Sequence, residues 1–156
     1  MKIYLAAPLF TQVERRWNRE MAKAIEAALP NCAVFLPQDI KVSHRFNDPR
    51  HFAVIFRSCL QGIEEADAIV AVLDGADADS GTSFEIGYAY ARRKPIIGVR
   101  TDFRRSQEKG LNIMLARACT YFIHDLSFNE DMGIIVRDVA ARIRTLQKGT
   151  PESNRP

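Results

Sequence analysis

Residues 68–73 read AIVAVL, and a short polar loop connects them to SGTSFEIGYAYARR at residues 80–93. Six apolar residues in a row, without alternation, are typical of a strand that is buried on both faces of a parallel sheet. The second stretch has the pattern of a helix and follows Asp79, a residue type that caps helices. A buried strand followed by a helix predicts an α/β fold, in which helices cover both faces of the sheet.

The same alternation of strands and helices continues on both sides of this unit. Short apolar runs predict four further strands, at residues 3–7, 33–36, 95–99 and 120–123. Apolar residues at helical spacing, together with caps and breakers, predict four further helices, at residues 13–28, 49–66, 111–117 and 132–146. Right-handed crossovers between parallel strands leave few topologies. Among them we expect a flavodoxin-like, doubly wound, five-stranded parallel sheet of order 2-1-3-4-5 with helices on both faces.

Length and composition indicate how the chain is organised. The 156 residues, 47% hydrophobic and 26% charged, predict one globular domain over residues 1–147. The polar segment KGTPESNRP (148–156) predicts a flexible C-terminal tail. No apolar run approaches the roughly 20 residues that span a bilayer, and the first residues lack the pattern of a signal peptide. We therefore expect a cytoplasmic protein without a membrane partner.

Charge and motifs argue against several kinds of partner and cofactor. The net charge of +3 is too small to indicate nucleic-acid binding, and the basic groups at 92–94 and 100–105 show no ladder of interleaved aromatic residues. The absence of GxGxxG and P-loop motifs excludes the common dinucleotide and phosphate sites. The three cysteines lack CxxC spacing and the three histidines are scattered, so we expect neither a disulfide framework nor a metal site.

A candidate catalytic carboxylate follows the central strand. Ligands of doubly wound sheets bind beyond the carboxyl ends of the strands, and Glu85 lies in the first turns of the helix at that edge. It has no basic neighbour at helical spacing, and the helix N-terminus favours its ionised form. An ionised carboxylate beside a sugar is what covalent glycosyl transfer requires. Spacing alone leaves open whether Glu85 is an ordinary first-turn acid and whether Asp79 is only an N-cap.

Taken together, these segments resemble the nucleoside 2-deoxyribosyltransferase family. The matching pieces, in chain order, are KIYLAAPLFT (2–11), WN (17–18), VFLPQD (34–39), ADAIVAVLDG (66–75), DSGTSFEIGYAYARRKPIIGVRTDFR (79–104) and LNIML (111–115). The resemblance implies an enzyme that exchanges the base of a 2′-deoxynucleoside, acts on nucleosides and nucleobases, and needs neither a metal nor an organic cofactor. It also implies a homo-oligomer whose active sites are completed by a neighbouring subunit.

The same resemblance implies roles for individual residues. Glu85 matches the nucleophile that attacks C1′ of the sugar, and Tyr4 matches a tyrosine whose hydroxyl orients that carboxylate. The alternative for Tyr4 is a core aromatic on the first strand.

Five further residues match substrate-binding positions of the family. Phe10 lines the base pocket or simply packs, and Gln38 recognises the base or lies in a solvated loop. Asp79 accepts hydrogen bonds from sugar hydroxyls. Asn112 is donated to the adjacent subunit's site or caps a helix. Asp39 lies next to the base-binding loop and is a weaker candidate.

One position departs from the family pattern. The family often has an acid eight residues before the aspartate of the central strand, where it assists protonation of the leaving base; counting back from Asp67 reaches Cys59. A thiol is a poor proton donor near neutral pH. The general acid is therefore open between Asp39, a water molecule and a route through a base tautomer, and we expect Asp67 itself to be structural.

Three functions remain open at this point. They are a deoxyribosyltransferase with ping-pong kinetics, an N-glycosidase acting on nucleosides or nucleoside 5′-monophosphates, and a non-catalytic nucleoside-binding domain of the same fold. Relatives that hydrolyse monophosphates tend to carry serine at the position of Asp79. A carboxylate there repels a phosphate by about 1 kcal/mol or more at ~4 Å, which favours a free 5′-hydroxyl. Arg100, Arg104 and Arg105 are alternative sources of phosphate contacts.

Overall fold

Five parallel strands form one central sheet in the order β2-β1-β3-β4-β5. The computed structural model describes residues 1–104, 107, 110–128 and 130–149. The strands are β1 (Lys2–Ala6), β2 (Ala33–Phe35), β3 (Ala68–Val72), β4 (Ile96–Arg100) and β5 (Tyr121–His124). The predicted flavodoxin-like topology is thus confirmed. Residues 150–156 of the predicted C-terminal tail lie outside the described residues.

Helices cover both faces of the sheet. They are α1 (Gln12–Ala28), α2 (Pro49–Glu65), α3 (Ser80–Ala91), α4 (Ile113–Ala118) and α5 (Met132–Gln147), with a short 3-10 helix at Pro37–Asp39. α1 and α5 bury their apolar side chains against one face of the sheet, and α2, α3 and α4 pack against the other. None of the helices in the described part of the chain is long and apolar enough to cross a membrane.

Side-chain caps fix where the helices begin. Thr11 forms a capping box with Glu14 at the start of α1, and a single side chain accepts a backbone N–H at the start of each other α-helix. These caps are Asp48, Asp79, Asn112 and Asp131. They satisfy backbone donors that the first turn of a helix leaves unpaired. The predicted helix starts therefore agree with the structure to within two residues.

Arg100 is a buried part of the fold. The predicted strand ends at residue 99, whereas β4 extends to Arg100, whose side chain is 1% exposed. Its guanidinium donates hydrogen bonds to the carbonyl oxygens of Leu73, Gly75 and Arg104. It therefore ties together the loops after β3 and β4, and the alternative in which it contacts a phosphate is wrong.

Arg104 and Arg105 were the other two arginines considered as phosphate contacts. Arg104 is half-exposed and pairs with the carboxylate of Asp102. Arg105 lies outside the described residues.

We expect Gly98→Ala to destabilise the protein. A Cβ atom at this position in β4 would lie 2.7 Å from Sγ of Cys119, 2.9 Å from a ring carbon of Phe122 and 3.0 Å from a methyl of Leu73. Overpacking of this kind costs about 1–3 kcal/mol of the free energy of unfolding, which chemical denaturation measures. Gly87→Ala on α3 is the control, because its Cβ would meet nothing within 4 Å and a helical alanine stabilises by up to about 1 kcal/mol. Equal effects of the two substitutions would contradict the packing argument.

Candidate active site

A cavity of about 340 Å³ opens at the carboxyl edge of the sheet, between α2 and α3 and beneath the loop after β1. Glu85 and Asp79 contribute the charged groups of its wall. Its other lining residues are Ala7, Leu9, Phe10, Pro37, Gln38, Ile40, Ile55, Cys59, Gly81 and Thr82. The cavity thus gathers residues from four separate segments of the chain around two carboxylates.

A larger cavity, about 480 Å³, lies at the opposite edge of the sheet beside Met1 and Pro95. Asp67 contributes its one charged side chain among the described lining residues, and this carboxylate accepts the backbone N–H of Lys2. The bond ties the start of β3 to the start of β1, which agrees with the structural role expected for Asp67. No pair of groups suited to glycosyl transfer lies there among the described residues.

Glu85 projects from α3 into the first cavity, where its side chain is largely buried. Its Oε1 accepts a hydrogen bond from the Tyr4 hydroxyl at 2.5 Å. Burial raises the pKa of Glu85 to about 7; the bond from Tyr4 lowers the pKa and the negative charge of Asp79 raises it. The helix N-terminus was expected to favour the ionised form of Glu85, and burial in the cavity opposes it.

A second tyrosine–glutamate pair lies at the surface, in different surroundings. The Tyr88 hydroxyl donates to Glu64 on the exposed face of α2 and α3. There the hydrogen bonds from Tyr88 and Arg92 hold the pKa of Glu64 below its usual value. A tyrosine donor thus accompanies a lowered pKa at Glu64, which is exposed and has Arg92 and Lys94 nearby, and a raised pKa at Glu85, which is buried near Asp79.

Tyr4 lies on β1 and is fully buried. Its ring stacks on Phe35 of β2 with ring centroids 5.3 Å apart, and the strand register places Tyr4 level with Phe35 and with Ile69 of β3. Burial and the charge of Glu85 hold its pKa far above the usual value for a phenol. Tyr4 therefore remains a hydrogen-bond donor at every physiological pH. Its hydroxyl contacts the Glu85 carboxylate and its ring is a core aromatic of β1, so the two alternatives for Tyr4 do not exclude each other.

Asp79 caps α3 and also lines the cavity. Its Oδ2 accepts hydrogen bonds from the backbone N–H of Thr82 at 2.8 Å and from the Thr82 hydroxyl at 3.1 Å. A Cβ on Gly81 would lie 3.1 Å from the same oxygen, so the small residue leaves room for the carboxylate. The cap orients Asp79 with its Oδ1 outside these two bonds.

Gln38 and Phe10 lie at the opposite wall. The amide of Gln38 donates to the Arg15 carbonyl at 2.9 Å, and its carbonyl accepts from Asn18 at 3.3 Å. Asn18 is buried and also donates to the Pro8 carbonyl at 2.9 Å. These bonds fix the orientation of Gln38 and leave it one N–H and one lone pair. Phe10 is 71% exposed at the cavity mouth.

Asn18 is the positioning residue for which the sequence reasoning gave no role. The pair Trp17-Asn18 was part of the family resemblance, but nothing else in the sequence indicates that Asn18 is buried, as it is in the structure. The side chain now links α1, the loop after β1 and Gln38.

Asp39 and Asn112 lie outside the cavity of this chain. Asp39 forms two bonds with Arg19 of α1, at 2.5 and 3.0 Å, and these hold its pKa below the usual value. It therefore remains ionised, which disfavours it as the general acid. The Oδ1 of Asn112 accepts the backbone N–H of Met114 and caps α4.

Cys59 reaches the cavity from α2. Burial raises the pKa of its thiol, and Cys59 packs against the buried cluster that contains Tyr4. Within the described ranges, no three His, Cys, Asp or Glu side chains are grouped to hold a metal ion.

Comparison with known proteins connects this geometry to a family. Residues 3–116 match the sequence profile of nucleoside 2-deoxyribosyltransferases. A protein of Ureaplasma parvum serovar 3, described as uncharacterised, is 31% identical over 140 residues, which cover 78% of this chain and 87% of that protein.

Two solved structures share the fold. A 2-deoxyribosyltransferase of Bacillus psychrosaccharolyticus has a TM-score of 0.71 and 22% identity over 90% of both chains. The CMP N-glycosidase of Clostridium botulinum has a TM-score of 0.58 and 18% identity, over 89% of this chain and 98% of that one. The profile covers well over half of the sequence, and this chain belongs to the nucleoside 2-deoxyribosyltransferase family.

Proposed function

We propose that this protein transfers the 2-deoxyribosyl group of a nucleoside from one nucleobase to another through a covalent ester on Glu85. The observation that supports this most strongly is the Glu85 carboxylate, which is buried in the cavity wall and accepts a hydrogen bond from Tyr4 on one oxygen. The other oxygen is then the one that attacks the sugar carbon.

The reaction has two steps. Glu85 attacks C1′, the bond between C1′ and the first base breaks, and that base leaves with the bonding electrons and takes up a proton. A nitrogen of the second base then attacks C1′ and loses a proton, and the ester bond breaks to restore the carboxylate. Both steps pass through an oxocarbenium-like transition state whose positive charge the carboxylate stabilises.

The other groups of the cavity bind the two ends of the nucleoside. In this proposal Asp79 accepts hydrogen bonds from the sugar hydroxyls while its other oxygen caps α3. Phe10 covers the base, and Gln38 recognises it with the donor and acceptor left over from its bonds within the protein. Asn112 contacts the sugar end in the site of a neighbouring subunit.

Hydrolysis is the second candidate, with water in place of the second base. The cavity favours nucleosides over 5′-monophosphates as its substrates, because none of its described lining residues is a lysine or arginine and Asp79 adds negative charge. The third candidate, a non-catalytic binding domain, does not account for a buried carboxylate with a dedicated donor.

The three candidate functions are distinguished by incubating the purified protein with 2′-deoxyinosine, with and without adenine, and separating the products by chromatography. Formation of 2′-deoxyadenosine only when adenine is present supports transfer. Release of hypoxanthine at the same rate without adenine indicates a hydrolase. Binding of nucleosides without turnover of any base or sugar indicates a binding domain.

We also propose that the protein forms a homo-oligomer through the outer surface of α2, α3 and α4. Phe56 and Phe84 are 53% and 54% exposed there, with ring centroids 6.0 Å apart. Met114, 75% exposed, and Ile113, 48% exposed, continue the apolar surface onto α4, directly after Asn112. Clustered exposed apolar side chains of this kind mark interaction surfaces.

Met114→Asp is expected to shift the protein to monomers and to lower transfer activity, because a charge in an apolar interface is desolvated without a partner. Size-exclusion chromatography with light scattering measures the mass. Val13→Asp on α1 is the control, since Val13 is 78% exposed on the opposite face. An oligomer that survives Met114→Asp, or a native monomer, would contradict this interface.

A further inference from the structure

The side-chain amides of Asn18 and Gln38 lie between two backbone carbonyls, beside the cavity that Gln38 lines. The amide nitrogen of Asn18 donates to the Pro8 carbonyl at 2.9 Å and to Oε1 of Gln38 at 3.3 Å. The amide nitrogen of Gln38 donates to the Arg15 carbonyl at 2.9 Å. These hydrogen bonds therefore join the loop after β1, the first turns of α1 and the 3-10 helix that carries Gln38.

The two carbonyls fix the orientation of both amides. A backbone carbonyl oxygen only accepts hydrogen bonds, so each amide must turn its nitrogen toward the carbonyl that it contacts. If the amide of Gln38 were reversed, its nitrogen would face the nitrogen of Asn18 and its oxygen would face the oxygen of Arg15. Reversal would replace two hydrogen bonds by two contacts between like groups. The protein therefore sets the orientation of Gln38 before any base binds.

The fixed amide presents its remaining groups to the cavity in one order. Gln38 is partly exposed there, whereas Asn18 is 4% exposed, so water has little access to the place from which Asn18 donates. Adenine carries an N–H donor beside an acceptor nitrogen, and hypoxanthine carries an acceptor oxygen beside an N–H donor. The two edges are reversed relative to each other. An amide held in one orientation therefore forms both hydrogen bonds with only one of these bases in a given pose.

We propose that Asn18 is a positioning residue that determines base specificity, because it holds the Gln38 amide in the one orientation that distinguishes amino-substituted from oxo-substituted bases. The inference rests on the proposed function, in which Gln38 recognises the base. A site built to pair with one edge leaves its polar groups unpaired on the reversed edge, which costs about tenfold or more in kcat/KM.

Asn18→Asp is expected to reverse the Gln38 amide. An ionised carboxylate only accepts hydrogen bonds, and a protonated one has a single hydrogen where the amide nitrogen has two. The Pro8 carbonyl is the nearer acceptor for that hydrogen. In both forms an oxygen at position 18 then accepts from Gln38, and the amide turns its nitrogen toward it.

The first experiment needs no substrate and follows the Gln38 amide by NMR of ¹⁵N-labelled protein, with Gln38→Leu to assign its signals. The bond to the Arg15 carbonyl protects one amide hydrogen from exchange with water. In Asn18→Leu, which has no donor, reversal loses one bond instead of two, so this hydrogen exchanges about fivefold faster. The internal control is the backbone N–H of Asp39, which donates to the Leu36 carbonyl at 3.0 Å. A general loosening of the segment would accelerate its exchange as well.

The second experiment compares kcat/KM for 2′-deoxyadenosine and 2′-deoxyinosine as donors. The ratio of the two values is expected to change by about tenfold in Asn18→Asp relative to the native enzyme. A merely structural role would lower both values equally and leave the ratio unchanged. The matched control is Gln61→Leu, which removes an exposed amide that bonds Glu65 outside the cavity. In a Gln38→Leu background, Asn18→Asp is expected to have no further effect on the ratio.

Three results would overturn the proposal. They are a ratio in Asn18→Asp within about twofold of the native one, a change of the ratio that persists in the Gln38→Leu background, and native exchange of the Gln38 amide in Asn18→Leu. If the native protein turns over neither nucleoside, the proposed function fails, and the exchange rates then decide whether Asn18 orients Gln38.

Discussion

Glu85→Gln is expected to abolish deoxyribosyl transfer, with a loss of kcat of about 10⁴-fold or more. The amide has nearly the shape of the carboxylate and can still accept the Tyr4 hydrogen bond, but it carries no charge and is not a nucleophile. Nucleoside binding is therefore expected to change little, while the chemical step is lost. Chromatography of the products measures the loss of transfer, and calorimetric titration with 2′-deoxyinosine measures nucleoside binding.

A matched control and a direct test of the ester accompany this prediction. Glu64→Gln removes a second tyrosine-bonded carboxylate, which lies outside the cavity, and is expected to leave transfer unchanged. Acid-quenched native enzyme incubated with nucleoside alone should yield a peptide that contains Glu85 and carries one deoxyribosyl group. A Glu85→Gln variant with more than about one per cent of native activity would rule out this nucleophile, as would an adduct on a different residue.

The fold was predictable because its determinants are local. β3 is buried along its whole length, and its apolar run is visible in the sequence without knowledge of its neighbours. Side-chain caps such as Asp48 and Asp131 mark helix starts, and each cap bonds a backbone N–H only two residues further along the chain. Right-handed crossovers then leave few strand orders, among which 2-1-3-4-5 was the order expected.

The site was predictable only in part, because its chemistry depends on contacts between elements. The sequence placed Glu85 and Asp79 at the carboxyl edge of the sheet, because they follow the central strand β3 and lie at the start of the next helix. It did not give the raised pKa of Glu85, which results mainly from burial of the carboxyl group. Asp39 follows Gln38 directly, yet its carboxylate pairs with Arg19. Adjacent residues on a turn point in different directions, and the spacing of apolar residues in the sequence does not predict those directions.

Tyr4→Phe is expected to lower kcat/KM near neutral pH by about 5- to 50-fold and to move its acid limb upward. The hydroxyl donates to the Glu85 carboxylate and holds its pKa at about 7, against burial and the charge of Asp79. A hydrogen bond to a charged group contributes about 1.5–3 kcal/mol, so its loss raises the pKa by about one to two units. The nucleophile is the ionised form, and a higher pKa leaves less of it at neutral pH.

The pH profile of kcat/KM for Tyr4→Phe distinguishes an effect on the ionisation of Glu85 from a simple loss of packing. If Tyr4 acts through ionisation of Glu85, Tyr4→Phe regains most of its rate above about pH 9, where the carboxylate is again ionised. Tyr88→Phe removes the hydroxyl that bonds Glu64 at the surface and is expected to leave the profile unchanged. A deficit of the same size at every pH would mean that Tyr4 only shapes the cavity. An acid limb that moves downward would mean that the hydroxyl does not favour the charged carboxylate, because removing a donor to an anion must raise the pKa of that anion.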